Sequence, residues 1–145
     1  MPHVQRETRV PYTAAQMFDL VNDIESYPEF LPWCRGARIE QREGDMLEAV
    51  VEIGLRGIHK SFRTRNTLER PERIRIELVS GPFTSLNGAW SFEELPDGGS
   101  RVRVSLDFEV KRSPFSALFA SIFEELVRSQ MAAFIRRADE RYGRA

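Results

Sequence analysis

Cys34 and His59 are the residue types from which a thiolate nucleophile and its base could be built. That chemistry needs a partly exposed thiol in electropositive surroundings and a third group to orient the imidazole. Cys34 instead follows Trp33, and His59 falls in an alternating segment, so a small buried thiol and a surface imidazole are expected. With His3, the chain has two histidines and one cysteine, too few for an ordinary zinc site without several carboxylates, and no metal ligand is assigned. Glu48 with Glu52, and Asp107 with Glu109, are the paired carboxylates. General acid–base catalysis needs a desolvated cleft, whereas these four occupy the polar phase of alternating segments. The motifs GxGxxG, GxxxxGK(S/T), HExxH and CxxC are all absent. No catalytic residue follows from these patterns, and the chain is expected not to be an enzyme.

Two other patterns carry more. Trp33, Phe62, Phe83, Trp90, Phe92, Phe108, Phe115, Phe119, Phe123 and Phe134 fall on or beside the apolar phase of predicted strands and of a predicted helix. Such stripes mean either a packed core or an apolar pocket lined by rings with few polar groups, and both readings stand at this point. Gly88, on the apolar phase, is expected to leave space where a side chain would stand. Thr64, Asn66 and Ser80 put isolated polar groups near that phase, where they would orient a ligand's carbonyl or hydroxyl. On the opposite phase, Arg63, Arg65, Arg73 and Arg75 form a candidate RNA-phosphate patch. The plainer reading is a solvated face neutralised by Glu69, Glu72 and Glu77, since no aromatic platform lies there.

These side chains need elements to hold them. Val4–Val10 partly alternates and stops at Pro11, which predicts a first strand. Thr13, with Gln16 three residues on, is a capping box for a short helix carrying Met17, Phe18, Leu20 and Val21. Ser26–Trp33, with two prolines, is a second short helix or turn. Period-two alternation then predicts strands over Met46–Leu55, Ile58–Leu68, Ile74–Val79, Leu86–Phe92 and Val102–Val110. Ser113 as N-cap and Pro114 at the first helical position predict a long helix to about Tyr142. Its apolar stripe is Phe115, Leu118, Phe119, Ile122, Phe123, Leu126, Met131, Phe134, Ile135 and Ala138, with Gly143 just past its end. The fold class is α+β: a curved antiparallel sheet of about six or seven strands around a long C-terminal helix, with two short helices after the first strand.

Composition sets the outer bounds. A length of 145 residues predicts a single domain over 1–145. Twenty-one basic residues against 22 acidic ones give a net charge of −1, unlike a uniformly basic nucleic-acid binder. One cysteine excludes an internal disulfide and fits a reducing compartment. The opening residues lack a signal-peptide core, and no apolar run reaches the roughly 18 residues of a membrane span. A cytoplasmic domain, at most peripheral to the inner membrane, is the expectation.

Three runs occur in a telling order: Asp23–Cys34 (DIESYPEFLPWC), Phe62–Asn66 (FRTRN) and Gly81–Phe92 (GPFTSLNGAWSF). With them the chain resembles, over nearly its full length, the coenzyme Q-binding START-domain family. That family includes the ribosome-association toxin RatA and lies within the polyketide cyclase/dehydrase-like superfamily. The resemblance implies a helix-grip fold and a cavity between sheet and long helix. It implies that the cavity holds ubiquinone or a related isoprenoid quinone, bound without a covalent link, in support of respiratory electron transport. Phe30, Trp33, Phe62, Phe83, Leu86, Trp90, Phe108, Phe119 and Phe123 are the candidate pocket residues. The Phe30–Trp33 segment and the apolar start of the long helix are the expected entrance, able to touch a membrane surface. The RatA branch implies another partner, the large ribosomal subunit, with subunit joining blocked. The Arg63, Arg65, Arg73 and Arg75 face would then meet ribosomal RNA. Cyclase or dehydrase activity belongs to more distant relatives, and this sequence shows no acid–base pair for it.

Overall fold

The computed structural model describes residues 3–143. The strands are β1 (His3–Val10), β2 (Cys34–Glu43), β3 (Met46–Leu55), β4 (Ile58–Glu69), β5 (Arg73–Ser80), β6 (Phe83–Glu94) and β7 (Ser100–Val110). Helix α1 (Ala14–Asn22) and a 3-10 helix (Ile24–Glu29) lie between β1 and β2, and helix α2 (Ser116–Tyr142) follows β7. All seven strands make one antiparallel sheet in the order β1-β7-β6-β5-β4-β3-β2. The chain thus leaves β1 at one edge, crosses by the short helices to β2 at the other edge, and meanders back until β7 meets β1.

Alternation is what makes one face of this sheet dry. Val102, Val104, Leu106 and Phe108 of β7 are buried, while Arg103 between them is exposed. The dry face can bury itself only against the apolar stripe of α2. The crossover is fixed at its start by the expected capping box. The Thr13 hydroxyl accepts from the Gln16 backbone N–H at 3.1 Å, and the Gln16 side chain accepts from the Thr13 N–H at 2.9 Å.

Three expectations are corrected. The N-cap and first-turn signals at Ser113 and Pro114 do not start α2, because the Ser116 N–H closes a turn onto the Ser113 carbonyl and the helix begins after it. Phe115 and Leu118, expected on the buried stripe, therefore face solvent, and burial begins at Phe119. Gly88 opens no space. A Cβ there would lie 2.1 Å from the Ser105 carbonyl oxygen and 2.8 Å from the Leu106 Cα, so the missing side chain lets β7 close onto β6.

The far end of α2 is pinned by polar contacts. The Tyr12 hydroxyl donates to the Asp139 carboxylate, and the Tyr142 hydroxyl donates to the Gln16 carbonyl at 3.3 Å. Arg137 and Arg141 pair with Glu29 and Asp23 of the crossover. Among the described residues, no helix is long and apolar enough to cross a membrane.

Candidate functional site

A cavity of about 100 Å³ lies between the dry face and α2. Its floor follows from strand register. Asn66 of β4 stands opposite Ile76 of β5, Ile76 opposite Gly88 of β6, and Gly88 opposite Leu106 of β7. In the neighbouring row Ala49 of β3 faces Thr64 of β4. Ala49, Thr64 and Asn66 are the short side chains of these rows. To one side Phe83 and Phe108 meet Phe119 and Phe123 of α2, and to the other Trp90 meets Phe134. The rings hold the helix off the sheet, and the short side chains between them leave the hollow.

The cavity is apolar except for a small cluster. The Thr64 hydroxyl donates to the Asn66 Oδ1 at 3.0 Å, with the two residues only 6% and 7% exposed. Asn66 lines the wall, so its amide is a polar group presented to an otherwise apolar hollow. Gln130 of α2 adds a second amide. The Tyr27 ring lines the wall, but its hydroxyl is occupied, donating to the Val21 carbonyl at 2.5 Å. Burial pushes that phenol well above its ordinary pKa, so it stays neutral. Tyr27, Phe62, Ile76 and Gln130 are the half-buried residues of the wall.

Five of the nine predicted pocket residues stand on the wall: Trp33, Phe62, Leu86, Trp90 and Phe123. Phe83, Phe108 and Phe119 do not; they are fully buried in the ring cluster beside the cavity. Phe30 is half-buried and packs on Tyr27 and Phe134, with the Arg137 guanidinium 5.0 Å from its ring centre. Thr64 and Asn66 line the cavity as expected, whereas Ser80 is exposed at the end of β5. Ile24, Tyr27, Val51, Ile76, Leu126, Val127 and Gln130 complete the wall without having been named as pocket residues. Tyr27 sits in a proline-broken run with no period to read, while Gln130 is a polar residue on the edge of an apolar stripe.

The other candidate groups are engaged elsewhere. The Cys34 thiol is buried, donates to the Gly36 carbonyl at 3.3 Å, and is pushed by burial to a pKa of about 11. No hydrogen bond joins it to His59 among the described residues. Asp107 binds the ring of His3 at 2.6 Å on the outer face and raises its pKa. The arginine patch lies on the outer face as expected, but it is answered in place. Arg63 and Arg65 both hold Glu48, at 2.8 and 2.9 Å. Arg73 and Arg75 both hold Glu69, at 3.5 and 2.8 Å. Hydrogen bonds from Arg65 and Arg63 keep the buried Glu48 below the usual carboxylate range, and Arg75 does the same for Glu69.

Residues 10–136 match the family described as polyketide cyclase / dehydrase and lipid transport. The chain belongs to this family. Within the polyketide cyclase and lipid-transport family, the chain is 42% identical over 142 residues to the ribosome association toxin RatA of Escherichia coli K12, covering 98% of this chain and 90% of that protein. It is 25% identical over 137 residues to a mitochondrial coenzyme Q-binding protein homologue of Xenopus laevis, covering 92% of this chain and 56% of that one. The structure of a START superfamily protein from Mycobacterium smegmatis superposes with a TM-score of 0.80 at 22% identity, covering 95% of this chain and 97% of the other. That likeness is one of fold, and the helix-grip architecture expected from the sequence is the one observed.

Proposed function

We propose that this chain is a non-enzymatic carrier of a hydrophobic ligand, ubiquinone or a related isoprenoid quinone, and that it supports respiratory electron transport by shielding that ligand from water. The observation that carries the reading is the Thr64–Asn66 polar pair on the wall of an otherwise apolar cavity. A ring carbonyl of the ligand would accept a hydrogen bond from the Asn66 amide. The coenzyme Q-binding name of the Xenopus relative supports the same ligand class. Apolar burial, at roughly 25 cal/mol per Å², would drive uptake against the ordering costs of binding. A cavity of about 100 Å³ is smaller than the roughly 150 Å³ that admits benzene in an engineered protein core. The walls must therefore yield to a quinone ring and its tail. Lipid extraction of the purified protein followed by mass spectrometry tests the reading. A stoichiometric isoprenoid quinone, well above a mock purification, is expected. An empty protein that also refuses added quinone overturns it.

A second reading is association with the large ribosomal subunit so that subunit joining is blocked. It is supported by the names of full-length relatives such as the Escherichia coli toxin. An interior cavity and an exterior binding face do not compete, so both activities fit one chain. The expected result is co-sedimentation with the large subunit that falls steeply as salt rises. Loss of binding on charge reversal of Arg63 and Arg65 would assign the contact to the outer face, and intact binding would remove that face from the reading.

A further inference from the structure

One end of the sheet gathers cations with no carboxylate between them among the described residues. Antiparallel order brings the β3–β4 turn, the β5–β6 turn and the β7–α2 connection together there. Between them lies a hollow of about 600 Å³, separate from the inner cavity. Its apolar wall includes Ile58, Pro82 and Phe115, and no carboxylate lines it among the described residues. Phe115 is 66% exposed, and Leu118, one helical turn on, is 44% exposed.

The chain has only two lysines, Lys60 and Lys111, and both border this hollow together with Arg112. None of these three cations is in an ion pair among the described residues. The outer-face patch of Arg63, Arg65, Arg73 and Arg75 is paired, and nearby Arg56 is spent on Glu125 at 3.0 Å. Large exposed apolar side chains ringed by unanswered cations suit one kind of surface. At an anionic bilayer, rings and aliphatic tips sink to the boundary between headgroups and acyl chains while cations stay among the phosphates. A nucleic acid would use the cations and give Leu118 nothing to bury against.

We propose that this end, built on Phe115, Leu118, Lys60, Lys111 and Arg112, docks the protein on an anionic lipid surface. The docking goes beyond the ligand reading and holds whether or not a quinone occupies the cavity. Sedimentation with vesicles tests it, using phosphatidylcholine mixed with phosphatidylglycerol against phosphatidylcholine alone. The wild-type protein is expected to pellet with the mixed vesicles and to be released by salt. Each cation near such a surface adds about fivefold to partitioning, so the K111E/R112E variant should bind at least about twentyfold more weakly. The F115S/L118S variant should lose about tenfold. All four positions are exposed, so an unchanged circular dichroism spectrum and melting temperature are expected for both variants. Failure of the wild-type protein to bind mixed vesicles, or wild-type binding by both variants, overturns the proposal. So does binding of a ribosomal RNA fragment in place of vesicles that K111E/R112E abolishes and F115S/L118S leaves intact. Asn66→Leu keeps the two readings apart: it should spoil quinone uptake and leave vesicle binding unchanged.

Discussion

The two parts of the sheet–helix interface share one alternation and reach opposite outcomes. Toward the start of α2, Phe83 sits among Phe62, Phe108, Phe119 and Phe123 with ring centres 4.9–6.3 Å apart, and the space is filled. Toward the middle of α2, Ala49, Thr64 and Asn66 occupy inward positions and a hollow remains. Both parts belong to the same apolar phase, so the phase alone does not tell packing from binding. Side-chain volume along a register row does. The filled part anchors the helix, which frees the hollow part from having to pack tightly.

The largest effect should come from emptying the filled part. Phe83→Ala is expected to cost about 3–5 kcal/mol of stability, read by urea denaturation. A loss below about 1 kcal/mol would mean that the ring cluster is not the anchor. Gly88→Ala should cost about 1–3 kcal/mol, because the β7 backbone already occupies the space a Cβ needs. In the hollow the effect falls on binding as well. Asn66→Leu is expected to lower quinone affinity about tenfold and to cost about 1–3 kcal/mol of stability, because the Thr64 hydroxyl loses its acceptor. Trp33 and Trp90, the chain's two tryptophans, both line the cavity, so their fluorescence reads the titration directly.

Two smaller effects test the contrast between dry and wet faces. The folded pKa of Glu48 is depressed by Arg65 and Arg63, so its stabilisation is complete above the ordinary glutamate value of 4.5 and is lost as pH falls through the lower folded value. Wild type should therefore lose stability on acidification across that window, and Glu48→Gln should flatten the loss; equal slopes would show that the pair does not couple to folding. On the dry side, Cys34, with its pKa near 11, should be labelled only slowly by iodoacetamide at neutral pH, as read by mass spectrometry. Rapid labelling would show that this edge of the sheet opens.

Much of the fold was legible because it rests on local patterns. The strands from Met46 onward follow clean alternation, and the Thr13–Gln16 box marks the start of α1 by itself. β2 was harder to read. Register shifts between Cys34 and Gly36 and between Ile39 and Gln41 put its inward residues out of phase. The start of α2 misled because Ser113 and Pro114 carry sound helix-start chemistry but sit in a turn. Thr64 and Asn66 were legible in the cavity because polar residues on an apolar phase stand out. Phe83, Phe108 and Phe119 could not be told from wall residues, since depth within the interface depends on how β6, β7 and α2 meet, and no periodicity encodes that.

The uneven fastening of α2 has a mechanical consequence. Its last turns are tied to the crossover through Tyr12, Glu29, Asp23 and Gln16, while its first half is held by buried rings and the exposed Arg56–Glu125 pair. The helix is a beam held at both ends, by the polar ties near Asp139 and by the rings at Phe119 and Phe123, and it spans the hollow between them. At 1.5 Å per residue the stretch from Phe123 to Phe134 is roughly 16 Å long, and outward bowing of that stretch would widen the hollow without breaking either fastening. Amide exchange that is fastest between those two points is the expected signature.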